Sequence, residues 1–244
     1  MQNDQGNNIQ ASFDITLKDT DLENLAVDVA ELTIDNVLDD GLLKDIPIVR
    51  TLVNLSKLGA NIHDKLFLKK ILSFLNGLKD VSVEDRNKMI KDIDESKEHR
   101  VKVGEKLFYI IDSCNDFENS ERVANVFKAF VGGKISYNDF LATSNILEKI
   151  SNHDFKWFVK NAKNYMSVES VGSLISSGLF DLYYNSVDVR VMDEDDHKTL
   201  QEGGDKYKAD VEGGDINVNI SRAGEVIMEL FNPEYIKPKV VKIS

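Results

Sequence analysis

Proline occurs only three times in this 244-residue chain, at positions 47, 233 and 238. Proline removes a backbone donor and clashes inside a helix, so a stretch of 185 residues without one leaves helices free to form. Only fourteen glycines interrupt the rest. Apolar residues at helical spacing then predict a mainly α fold. The 42% hydrophobic content is that of a globular chain rather than a disordered one.

The spacing predicts elements in the following order. Residues 1–10 are polar and expected to be mobile. Ala11–Lys18 alternates through Phe13, Ile15 and Leu17, which suits a short strand or an extended tail. Asp19–Asp21 is positioned to cap a helix running to about Asp40, with Leu22, Leu25, Val29 and Leu32 on one face and Gly41 as its stop. A second helix carries Pro47 in its first turn, where a missing N–H costs nothing. Its apolar face holds Ile48, Leu52, Leu55 and Ile62. Leu66–Leu78 forms another apolar helix. Ser82 with Asp85 marks a helix start. Helices are also expected over Val101–Cys114, Asn119–Phe130 and Ser136–Ile150, followed by an aromatic segment around Phe155–Val159.

The pattern changes near Met166. Val168–Leu179 reads as a helix closed by Gly178. Phe180–Met192 alternates as one or two strands, and Ile216–Ile220 as another. Asp193–Asp215 is acidic and contains EGGD twice, which reads as turns. Ser221 is placed to cap a last helix, Arg222–Phe231. The expected organisation is a mobile or short-strand segment 1–18, a helical domain 19–164, a small α+β module 165–232 and an extended tail 233–244.

The C-terminal order of helix, strand, long hairpin, strand, helix, carried by LISSGLF at 174–180 and INVNISRAGEVIMEL at 216–230, is similar to a winged-helix module. The fold class implied is thus mainly α, a helical body followed by a winged-helix-like α+β module. The stretch DGLLKDIPIVRTLVNLSKLGANIHDKLFLKKILSFLNGLKD looks like an uncharacterised group of helical bacterial and phage-borne proteins. No activity is attached to that group, so the resemblance supplies a context of bacterium–phage or toxin conflict and no site residues.

Charge is distributed unevenly. Residues 1–43 hold ten acids and one base, Lys18, whereas residues 44–70 hold six bases and two acids. Residues 165–244 hold fifteen acids and eight bases, and the whole chain carries −12. A winged helix that reads DNA needs cations on its recognition helix and wing. Here the helix 168–179 has Glu169 and no Lys or Arg. Nucleic acid is therefore not an expected partner, and a transcriptional regulator is kept only as an alternative. A protein partner is expected. Its candidate contacts are Tyr183, Tyr184 and Tyr207 as aromatic anchors, with Asp193, Glu194, Asp195 and Asp196 as the acidic wing. Strand alternation should turn one of Tyr183 and Tyr184 inward.

The basic island supplies a second candidate face: Lys44, Arg50, Lys57, Lys65, Lys69 and Lys70. Basic amphipathic helices can lie on anionic membrane, so peripheral membrane contact is the other alternative. The competing interpretation is a core helix pair with a basic solvent edge. The acidic segment Asp19–Asp45, with Asp35, Asp39 and Asp40, is placed to fold against this island as a clamp.

Motifs for chemistry are wanting. FVGGKISYNDFL (130–141) matches the second half of an EF-hand loop. The first three ligand positions would, however, be Lys128, Phe130 and Gly132, which offer no side-chain oxygen. A Gly-Gly helix stop followed by a Ser136 cap explains the same letters. DEDDH (193–197) reads as a solvated acidic run. His63, His99, His153 and His197 are scattered without zinc-site spacing. Cys114 has no local cation to form a thiolate and is expected to be a neutral thiol. No catalytic residue, metal ligand or cofactor is assigned, and a non-enzyme is expected. No apolar run reaches bilayer-spanning length and the N-terminus lacks a signal pattern, so a cytoplasmic location is expected. Oligomeric state is not legible.

Overall fold

The computed structural model describes residues 2–23, 25, 31, 37, 41–56, 62–95, 101–191 and 209–235. The expected helix through Asp40, with the proposed clamp residues Asp35, Asp39 and Asp40, lies outside them apart from a few positions.

Helix α1 spans Gln2–Asp19, which corrects the expectation of a mobile or short-strand segment over 1–18. Phe13, Thr16 and Leu17 stand at i, i+3 and i+4 and are all fully buried. Ile15 is left half exposed. The Phe13–Leu17 alternation fitted either period. The helix prevails because it can lay this stripe on three neighbours, α3 (Pro47–Ser56), α5 (Val83–Asp94) and α6 (Val103–Ser113). A hydroxyl fixes one of these contacts. Thr16 Oγ1 accepts the Ile48 N–H at 3.1 Å and donates to the Ser12 carbonyl at 2.8 Å. It thereby satisfies an orphan donor in the first turn of α3, next to Pro47, which has none.

Gly41 does not end a helix; it opens the short α2, Gly41–Asp45. The remaining helices are α4 (Ile62–Gly77), α7 (Phe117–Val131), α8 (Tyr137–Leu147) and α9 (Asn152–Asn161). Side chains set the starts of α5, α7 and α8. Ser82 accepts the Asp85 N–H, Asp116 accepts the Asn119 N–H, and Ser136 with Asp139 forms a reciprocal capping box. Gly132 ends α7, and Gly133 follows with φ +68°, which glycine tolerates without strain. The Gly-Gly stop and the Ser136 cap are thus observed where the EF-hand-like letters lie.

Helices α4 and α7 pack closely. A Cβ on Gly77 would stand 2.6 Å from the Ala124 Cβ, so the small residues permit the approach. A chain of aromatic contacts crosses this body: Phe108 to Phe13 (6.0 Å), Phe13 to Phe74 (6.1 Å), Phe74 to Phe127 (6.2 Å) and Phe127 to Phe140 (5.5 Å). These rings tie α6, α1, α4, α7 and α8 into one core.

The last helix, α10 in the helical body's own packing, is Arg222–Phe231, and it sits on α8 and α7. Arg222 pairs with Asp139 at 3.2 Å, Phe231 meets Phe155 edge-on at 5.3 Å, and Asn232 Nδ2 donates to the Val159 carbonyl at 2.9 Å. Backbone contacts accordingly divide the chain into residues 1–160 with 222–244, and residues 161–221. The expected module 165–232 is corrected at its end: its last helix belongs to the helical unit, because its apolar face (Val226, Ile227) is buried there.

The unit 161–221 holds a small antiparallel sheet. β1 (Met166–Ser167), β2 (Phe180–Tyr184) and β5 (Ile216–Ile220) lie in the order β1-β5-β2, and β3 (Asp188–Val191) pairs with β4 (Ala209–Glu212). The expected helix Val168–Leu179 is only one turn, Val168–Val171, followed by a 3₁₀ segment, Gly172–Ser177. Two local causes break it. Gly172 has φ +53°, and the Ser176 and Ser177 hydroxyls donate to the Ser173 and Leu174 carbonyls, competing with helical bonding.

Candidate interaction surface

β2–β3 and β4–β5 form one long antiparallel ribbon. Phe180 faces Ile220, Tyr184 faces Ile216 and Asp188 faces Glu212, so the register is unchanged across the break between the two ladders. Asn185 N–H still reaches the Asp215 carbonyl at 3.2 Å within that break. Gly213 (φ +95°) and Gly214 (φ +83°) turn the chain here, and a Cβ on Gly213 would lie 2.1 Å from the Ser186 carbonyl oxygen. The second EGGD is therefore a close-approach point inside the ribbon, not a loop tip.

The base of the ribbon is buried: Phe180, Ile220 and Val218 belong to the core. Beyond it the apolar side chains emerge. Leu182, Tyr183, Tyr184 and Ile216 are exposed, and the facing pair Val189 and Val211 are exposed to 56% and 59%. Val187 is exposed beside them, and Tyr165 (75% exposed) meets Tyr183 edge-on at 6.4 Å. Tyr165 itself has φ +59°, a conformation uncommon for a non-glycine residue, and its N–H donates to Asn219 Oδ1 at 3.2 Å. Monomeric proteins rarely leave so many large apolar groups together in water.

Tyr183 and Tyr184 are both exposed, at 49% and 66%, which corrects the expectation that one turns inward. Alternation sends them to opposite faces, and among the described residues nothing covers either side chain at this level of the ribbon. Asp193, Glu194, Asp195, Asp196 and Tyr207 lie outside the described residues. The sequence reading missed Tyr165, Leu182, Val187, Val189, Val211 and Ile216 as surface residues. Period-two alternation marks a face that wants covering, and among the described residues of 161–221 no amphipathic helix is left to cover it.

The basic island resolves differently. Ile48, Val49, Leu52, Val53, Ile71 and Leu72 are buried, so its apolar stripes are spent on the core. Lys44, Arg50 and Lys65 are exposed, Lys69 and Lys70 are half-buried, and Lys57 lies outside the described residues. Two of these cations serve helix ends. Arg50 donates to the Lys44 and Asp45 carbonyls at the end of α2 (3.2 and 3.4 Å), and Lys70 Nζ donates to the Asp112 carbonyl in the last turn of α6 (2.8 Å). The core-pair interpretation with a basic rim accounts for this geometry.

Chemistry is sparse elsewhere. Cys114 is buried, its thiol bonds the Ile110 carbonyl, and burial pushes its pKa up to about 11. It is a neutral, unreactive thiol at physiological pH. Among the described residues no three His, Cys, Asp or Glu side chains converge as a metal site, and no helix is long and apolar enough to cross a membrane. Asp139 is occupied by Ser136 and Arg222. No family model matches the chain, and no curated protein or solved structure is found similar to it.

Proposed function

We propose that this chain is a non-enzymatic binding protein that holds another protein on the ribbon of residues 180–220. The observation that carries this is the exposed run of Leu182, Tyr183, Tyr184, Val187, Val189, Val211 and Ile216, with Tyr165 at its side. Tyrosines and apolar groups ringed by acids suit a protein contact. The acids equally oppose a polyanion. The resemblance of residues 40–80 to helical bacterial and phage-borne proteins supports a setting in phage defence, counter-defence or toxin neutralisation.

The sheet order β1-β5-β2, with a hairpin prolonging two strands, supports the winged-helix-like description of 161–221. The segment in the recognition-helix position is short, irregular and without cations, which favours a protein-binding relative over a regulator. A membrane-surface role is weakened by burial of the apolar stripes of α3 and α4.

Affinity capture from bacterial lysate, with and without phage infection, tests the proposal. The wild-type chain retains a stoichiometric protein that the double variant Tyr184→Ser, Ile216→Ser releases. Identical retention by both chains, or retention of nucleic acid alone, would sink it.

A further inference from the structure

Resting on that role for the ribbon, we propose that the free edge of β2 takes an extended, lysine- or arginine-bearing segment of the partner as an added strand. In an antiparallel pair the N–H and C=O of one residue point to the same side, and successive residues alternate. Two bonds fix which residues point toward β5. Asn185 N–H donates to Asp215, and the Leu179 carbonyl accepts from Ser221, at 3.2 and 2.9 Å. Both pairs keep the register in which Phe180 faces Ile220. Odd-numbered residues of β2 therefore turn their backbone inward to β5. Leu182 and Tyr184 turn theirs outward, on the side where the order β1-β5-β2 places no further strand. The backbone groups of these two residues have no partner among the described residues.

Natural sheets protect such edges with lysine, proline or bulges. FDLYY at 180–184 has none of these, and its one charge is Asp181. An edge left open between exposed Leu182 and Tyr184 is suited to strand addition, in which the main chain supplies affinity and alternate side chains supply choice.

Charge selects the occupant. Asp181, Glu212 and Asp215 are exposed and have no ion-pair partner among the described residues, whereas Arg190 is already held by Asp188 at 3.4 Å. A second copy of this chain laid along the same edge would bring its own Asp181 beside this one, and like charges close across strands destabilise. A segment alternating apolar and cationic residues satisfies the edge, the apolar row and the acids together.

The test uses the full chain and a displayed library of random twelve-residue peptides. Enriched peptides are resynthesised with N-methyl groups on either the odd or the even residues. Strand addition is expected to enrich peptides that alternate apolar residues with Lys or Arg. Methylation of one parity should weaken binding at least tenfold and the other parity should not. The variant Asp181→Lys, Glu212→Lys should also weaken binding tenfold with an unchanged circular dichroism spectrum. Enriched peptides that are acidic, that ignore methylation parity, or that are displaced by self-association of the chain overturn the strand proposal. They leave the ribbon as the partner surface if Tyr184→Ser, Ile216→Ser still abolishes their binding. If no peptide is enriched, or that double variant binds as wild type, both proposals fall.

Discussion

Arg86 is a fully buried cation, and its surroundings explain why the fold retains it. Its guanidinium donates to the Leu17 carbonyl at 2.8 Å and the Thr20 carbonyl at 2.6 Å, with Thr16 at 3.4 Å. The Leu17 and Thr20 carbonyls lie at the C-terminus of α1, where backbone acceptors run out of helical partners and the dipole is negative, while the Thr16 carbonyl also accepts the Thr20 N–H. Burial pulls the guanidinium below the ordinary arginine value, and Asp21 and Glu84 oppose that pull. Methionine would fill the volume and donate nothing, so Arg86→Met strands the carbonyls at a cost of about 3 kcal/mol. Urea denaturation should show that loss in the midpoint. An equal midpoint would mean that water replaces the guanidinium at no cost. Arg122 plays a related part: it bonds Asn119, Glu118 (3.2 Å) and Asn152 (2.6 Å) and lies 4.0 Å over the Phe155 ring, tying α7 to α9.

At the scale of elements, Asp139 couples a helix start to a helix docking. Its carboxylate accepts from the Ser136 N–H and pairs with Arg222, whose helix packs on α8. Burial works to raise the Asp139 pKa, but the Arg222 guanidinium and Ser136 together hold it below the usual carboxylate range. A carboxylate depressed on folding adds stability above its unfolded value of about 3.9 and loses it as pH falls through the lower folded value. Asp139→Asn keeps an acceptor for Ser136 but loses the charge. The variant should be less stable than wild type at pH 7, with the gap closing below about pH 4. A gap that stays constant from pH 7 to pH 3 would show that geometry, not charge, carries the contact. The serine cap at 136 was legible because its chemistry is local. The docking of 222–231 was not, since Arg222 meets Asp139 across eighty-three residues of sequence. The same limit applies at α1, where thirteen to seventeen fitted two periods and only the neighbours α3, α5 and α6 decide between them.

At the scale of the whole molecule, residues 161–221 are an insertion between two parts of one helical unit. The sequence placed the change of character near 166 and the strands within 180–192 and at 216–220, but it gave turns where β4, Ala209–Glu212, pairs with β3. It could not show that Tyr183, Tyr184, Val189 and Val211 are all exposed, because exposure is a property of the assembled unit and not of alternation. The division has a testable consequence. Asn232 bonds the Val159 carbonyl, so the end of the last helix lies beside the end of α9. The start of that helix, Arg222, is nine residues back along it, roughly 14 Å away at 1.5 Å per residue. A flexible linker of about eight Gly and Ser residues has a typical span of about 16 Å. Replacing 161–221 with such a linker should therefore leave the helical unit folded, with a single cooperative thermal transition and the Arg222–Asp139 pair in place. Truncation after residue 160 should instead melt at lower temperature, since it removes the buried Val226 and Ile227 along with that ion pair. The linker chain should also lose every partner held through the ribbon. If it unfolds as readily as the truncated chain, the helical unit depends on residues 161–221 and the division into two units does not describe its stability.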